Sequence, residues 1–111
     1  MTGVILGAFG AHALRGRLSA EMLAIWRTAE QYQFIHSLGL LAIGLAGLHF
    51  GQAAGLRWAG WLMTAGIVLF SGSLYVLAIS GTRTLGAVTP IGGVCFIAAW
   101  AVFAVTVLRA A

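Results

Sequence analysis

The sequence predicts an all-α integral membrane protein, a four-helix up-down bundle whose first helix is cut short at its N-terminus. Three observations predict it. The chain is 61% hydrophobic and 7% charged, with a mean hydropathy of +1.03. A soluble domain commonly carries about a quarter Asp, Glu, Lys and Arg, so this chain cannot cover a water-facing shell. The charges also sit between long uncharged runs, residues 31–56, 58–82 and 84–108, each long enough for a helix to cross a hydrocarbon core of ~30 Å. No alternating strand pattern and no repeat interrupts them. With 111 residues, the chain has room for one transmembrane domain, residues 1–111, and for no separate soluble one.

The first helix is expected at roughly 2–14, TGVILGAFGAHAL. As a helix it reaches about 20 Å, short of the core. Ala11-His12-Ala13 resembles a signal cleavage site, but no positive segment precedes it. The expected reading is therefore a transmembrane helix whose start lies upstream of Met1, or one that starts part-way into the membrane. The second helix is expected over 19–50. Ser19 is its natural N-cap, and AEMLAIWRTAEQYQ follows without Gly or Pro. Its first part is amphipathic and interfacial, with Trp26 as an anchor at the lipid–water boundary, and it enters the membrane near Gln33. A short turn over 50–56 leads to a third helix at 57–80, anchored by Trp58 and Trp61. A second short loop, 81–88, precedes a fourth helix at 89–109, with Thr89 as N-cap and Pro90 in the first turn. Short loops make neighbouring helices antiparallel. Small residues let helices approach closely, so Gly7, Gly10, Gly47, Gly51, Gly72, Gly92 and Gly93 are expected at packing contacts; Gly3 and Gly7, like Gly47 and Gly51, are small-xxx-small pairs.

Alternating direction places the polar membrane residues together. Let side B be the end that carries the 15–31 segment, and side A the other. His12 closes the first helix at side B. Thr28, Tyr32 and His36 share one face of the second at i, i+4, i+8 spacing. Ser71, Ser73 and Tyr75 lie in the last third of the third, and Thr89 opens the fourth. These eight residues are the candidate polar pocket near one membrane surface. It reads first as a hydrogen-bond cluster that fixes the bundle, and alternatively as a seat for a lipid headgroup, quinone, haem or ion.

Other chemistry is weakly supported. Six dispersed arginines, most of them where an apolar run starts or stops, fit headgroup contacts and not a nucleic-acid face. The lone Cys95 rules out an intramolecular disulfide and a thiolate-rich metal site. His12 and His36 would suit bis-His haem ligation if they met, but no metal site and no cofactor is expected. Proton-coupled export needs a carboxylate inside the membrane. The only acids, Glu21 and Glu30, flank Trp26 and Arg27 near the surface, where Glu30 is expected to pair with Arg27 at i, i+3 on a solvated face. No nucleophile elbow, triad or phosphate loop is present.

Four stretches carry a family resemblance: GAFGAHAL (7–14), Trp26-x-Thr28-Ala29-x-x-Tyr32-x-x-x-His36, LFSGSLYVLA (69–78) and TPIGGVCFIAAW (89–100). In this order they resemble the domain of unknown function 423 family. The resemblance covers nearly the whole chain and implies a four-helix inner-membrane protein, without supplying a reaction. Family members usually have further residues ahead of the GAFGAH segment, and often a Gly where this chain has Ala99. The functional expectation is a non-enzymatic accessory or scaffold subunit whose partners are membrane lipids and other membrane proteins or itself, not nucleic acid. Alternatives are a bundle that binds a lipid, quinone or haem-like ligand and, more weakly, a transporter.

Overall fold

The computed structural model describes residues 1–14, 16–51 and 53–111. Arg15, one of the arginines expected at a headgroup boundary, and Gln52, in the expected turn after the second helix, lie outside the described residues.

Helix α1, Thr2–His12, is apolar and ends two residues before the expected boundary. At about 1.5 Å per residue it spans about 16 Å. Helix α2, Ala20–Phe50, begins at Ser19, whose hydroxyl accepts from the Met22 N–H at 3.2 Å. Glu21 stands in its first turn, where a negative charge offsets the helix dipole. The helix closes at Gly51 with φ 84°, a left-handed value that glycine adopts without steric cost.

Helix α3 runs Ala54–Ser80, starting three residues earlier than the charge at Arg57 suggests. Charge marks where a helix meets headgroups, whereas backbone pairing begins wherever no breaker intervenes. Its middle, Ile67–Gly72, is a π-helical turn, and it stops at Gly81 in the left-handed conformation, a common helix terminator. A 3-10 turn, Arg83–Ala87, leads into α4, Thr89–Ala110, with Pro90 in its first turn. Thr89 is not the N-cap: Val88 holds that position without a side-chain bond, and the Thr89 hydroxyl is engaged by α3 instead.

Three segments are long and apolar enough to cross a membrane: Ala20–Phe50, Ala54–Ser80 and Arg83–Ala110. The expectation of helices crossing a bilayer therefore holds for these three, with α1 a shorter apolar helix beside them. Pairings run antiparallel. Gly3, Gly7 and Gly10 of α1 lie against Phe34, Glu30 and Trp26 of α2. Gly55, Gly66 and Ser73 of α3 meet Thr106, Phe96 and Thr89 of α4.

One core cluster, Ile43, Leu56, Ala59, Met63, Phe96 and Ala99, joins α2, α3 and α4. A smaller one, Leu14, Trp26 and Ala78, joins the end of α1 to α2 and α3 at side B. The bundle measures 49 × 26 × 14 Å along its principal axes, a flat slab. Its long apolar side chains, among them Leu38, Leu48, Val68, Ile97 and Leu108, point outward. In water this would be a large unfavourable surface; in lipid the same faces cost nothing.

Candidate functional site

The buried stripe of α2 sets the site. Trp26, Ala29, Gln33, His36, Gly39 and Ile43 are its buried residues, spaced by three and four. That is the period of a helix face pressed on a partner. Each polar member of this stripe is answered by a group from another helix or from its own backbone.

Gln33 is the hub. Its Nε2 donates to Thr2 Oγ1 of α1 at 2.8 Å, and its Oε1 accepts from the Tyr75 hydroxyl of α3 at 2.6 Å. One amide thus ties three helices. Trp26 packs edge-on against Tyr75, with ring centroids 4.6 Å apart, and its indole N–H donates to the Leu6 carbonyl of α1 at 3.2 Å. Trp26 is only 1% exposed, so it is not the lipid-boundary anchor expected from its place between charged residues. The close approach of α1, which has no side chain at Gly10, covers it.

Two further joints use hydroxyls. Ser71 Oγ donates to the Ala29 carbonyl at 2.8 Å. Ser73 Oγ donates to the Phe70 carbonyl at 2.9 Å and lies 2.7 Å from Thr89 Oγ1, leaving Thr89 to donate across the α3–α4 contact. Beside them runs an aromatic column. Tyr32 stacks on Phe70 with centroids 4.3 Å apart, and His36 stacks on Phe96 at 3.5 Å. His36 Nδ1 is 2.7 Å from the Tyr32 carbonyl. A carbonyl only accepts, so Nδ1 carries the proton and Nε2 is left as the acceptor nitrogen.

Of the eight candidate polar residues, the structure brings six into these inter-helix joints: Tyr32, His36, Ser71, Ser73, Tyr75 and Thr89. They form a chain of contacts along the seams, not the lining of one hollow. His12 is exposed at the end of α1, while His36 faces α4 through Phe96 and Trp100. Thr28 is exposed and donates to the Ala24 carbonyl of its own helix. Its i, i+4 ridge drifts around the helix away from the three-and-four stripe that is buried.

Gln33, Thr2 and Glu30 were not among the candidates. For Gln33 the legible signal was its place at i+4 from Ala29 and i+7 from Trp26. Glu30 does not form the expected ion pair with Arg27. Its carboxylate lies against the Gly7 and Gly10 face of α1, and the ion pair present among the described residues joins Arg83 to Glu21 at 3.2 Å.

The glycines divide likewise. Gly7 and Gly10 let α1 approach α2, and Gly92 lies directly on the Phe70 backbone, while a Cβ added at Gly93 would only come into ordinary contact with the Phe70 ring. Gly47, Gly51 and Gly72 meet nothing within 4 Å and are not packing contacts. Gly51 serves the turn through its backbone conformation. Trp58 and Trp61, at 66% and 73% exposed, stand outward near the start of α3.

Chemically, this site holds helices. Its hydroxyls, phenol and amide are spent on one another and on carbonyls, and no buried side-chain nitrogen or oxygen among the described residues lacks a partner. No group of three or more His, Cys, Asp or Glu that could hold a metal ion occurs among the described residues.

Apolar spans, seams closed by hydrogen bonds and outward-facing apolar side chains define a small multi-pass α-helical membrane protein. The chain belongs to the family described as "Protein of unknown function (DUF423)", which matches residues 6–93, as the motifs of the sequence indicate. It is 51% identical over 109 residues to the UPF0382 membrane protein SERP0230 of Staphylococcus epidermidis, covering 98% of this chain and 88% of that one. It is 52% identical over 100 residues to SSP2132 of Staphylococcus saprophyticus (90% and 82% covered) and 44% identical over 109 residues to YwdK of Bacillus subtilis (98% and 89%). Both of these are also named UPF0382 membrane proteins. No solved structure matches. The chain is accordingly a multi-pass protein of the bacterial cell membrane.

Proposed function

We propose that this protein is a non-enzymatic membrane subunit, an accessory or scaffold that works through the lipid-facing sides of its helices against other membrane proteins or a second copy of itself. The observation that carries this reading is the self-contained polar seam. Gln33, Tyr75, Thr2, Ser71, Ser73 and Thr89 satisfy one another or nearby carbonyls, which fixes the bundle and leaves few functional groups free for turnover. What remains available to a partner is the outer surface, such as the Ile91, Val94, Ile97 and Leu108 side of α4. Membrane helices associate there through van der Waals packing and small residues.

A seam occupied by quinone, haem or lipid is the weaker reading, because the same hydrogen-bonding groups would have to be released first. A transporter would need a continuous wet path through them.

The test is purification of the tagged protein from its own membrane in mild detergent after brief cross-linking. The expected result is a colourless, discrete assembly heavier than the bare chain, with a reproducible partner or copy number. Bare monomer would contradict the proposal. A visible chromophore lost on His36→Ala would move the assignment to the ligand-binding reading.

A further inference from the structure

The geometry points to an anionic-phospholipid site at the side-A rim, with the lipid phosphate on Arg57 and an acyl chain in the furrow between α2 and α3. Arg57 lines three neighbouring grooves. The first, about 350 Å³, lies among Ala54, Arg57, Trp58 and Trp61. The second, about 270 Å³, passes Gly60 and Trp61 to Leu40 and Thr64. The third, about 200 Å³, opens over Gly44 and Gly47 of α2, with Ile43 and Leu56 beside them.

Arg57, Trp61 and Thr64 are spaced i, i+4, i+7, so the cation heads a strip that descends one face of α3 toward the membrane interior. Much of the furrow floor is bare backbone. A Cβ added at Gly44, Gly47 or Gly60 would meet nothing within 4 Å. Thr64, at the lower end, donates its hydroxyl to the Gly60 carbonyl at 2.9 Å, so even this residue presents a spent polar group. A cation at the mouth of a long apolar furrow matches the outline and polarity of one phospholipid.

Charge complementarity decides the occupant. The chain has two side-chain carboxylates, Glu21 and Glu30, and both lie in the side-B half of α2. Glu21 is taken by Arg83 there. The exposed Arg57 has no Asp or Glu side chain on its side of the bundle, and at the depth of the first turn of a transmembrane helix the abundant anion is a lipid phosphate. An arginine suits it, because the planar fork grips two phosphate oxygens at once. Trp58 and Trp61 flank it at 66% and 73% exposure, offering indole N–H donors at headgroup level over an apolar body.

The experiment places the whole chain in phosphatidylcholine nanodiscs doped with phosphatidylglycerol and counts lipids retained by native mass spectrometry. Wild type is expected to keep phosphatidylglycerol well above its share of the bilayer. Arg57→Gln should cut that enrichment about fivefold, the worth of one arginine at a charged lipid surface, with an unchanged thermal midpoint. Arg57→Lys should keep part of it, and Arg83→Gln, which alters side B, should keep all of it. The site is refuted if Arg57→Gln retains phosphatidylglycerol like wild type, if Arg83→Gln loses it equally, or if phosphatidylcholine is held as strongly.

Discussion

Gly92 and Gly47 look alike in the sequence, each a glycine within an apolar helix, yet they should respond oppositely to a methyl group. A Cβ at Gly92 would overlap the Phe70 backbone, which cannot swing aside. Gly92→Ala should cost about 1–3 kcal/mol through overpacking. Gly47 opens onto empty space, so Gly47→Ala should be neutral or gain up to about 1 kcal/mol from its helix preference. Thermal unfolding in one detergent compares them; equal destabilisation would refute the packing described. Gln33 allows a second residue-scale test. Gln33→Leu strands the Tyr75 hydroxyl, and Tyr75→Phe removes the same bond from the other side. A double-mutant cycle should return a coupling of about 0.6 kcal/mol, at most about 1.7; additive effects would show the bond contributes nothing. At this scale the sequence was only partly legible. Tyr32, His36, Ser71, Ser73, Tyr75 and Thr89 were readable as polar groups in apolar helices that must find partners. Trp26 was not, because its flanking charges suggested the lipid–water boundary where α1 in fact supplies the cover, and Gln33 was legible only through its spacing from Ala29 and Trp26.

The helices themselves were legible where the signal was chemical: Ser19 as a cap, uncharged runs as spans, Pro90 in a first turn. The π-helical turn in α3 was not, since Ile67–Gly72 contains no proline and its one glycine is the last residue. Its effect is geometric. The buried stripe of α3 passes from Gly66 to Ser71, a five-residue step, and the half-buried Tyr75 follows Ser71 at i+4 against α2. An unbroken α-helix steps by three or four; a π turn supplies the extra residue. Deleting Val68, a lipid-facing residue of that turn at 63% exposure, should shorten the step to four residues and restore a regular helix without turning the segment beyond it. Ser71 would still face the Ala29 carbonyl and Tyr75 would still face Gln33. The expected outcome is a helical and well-packed protein, seen as retained far-ultraviolet dichroism with a sharp thermal transition, whereas deleting Val76 beyond the turn should broaden it. A broadened transition in the Val68 deletion would contradict the reading that the turn absorbs one extra residue.

For the whole molecule, composition was the most legible signal. A chain that is 7% charged must place apolar side chains on its outer face, and the slab does so along α2, α3 and α4. Relative placement was harder to read, because helices in lipid are sorted by glycine contacts and a few hydrogen bonds, not by a hydrophobic stripe. The exposed Arg83–Glu21 pair adds little to this order; the seams carry it. The most direct measurement is spin-label accessibility in bilayers, on a Cys95→Ala background with single cysteines at Val68, Ile97 and Ala59. Labels at Val68 and Ile97 should collide freely with lipid-soluble oxygen and hardly at all with a water-soluble nickel chelate, while Ala59, fully buried between α3 and α4, should be shielded from both. High nickel collision at Val68 or Ile97 would contradict a bundle bathed in lipid.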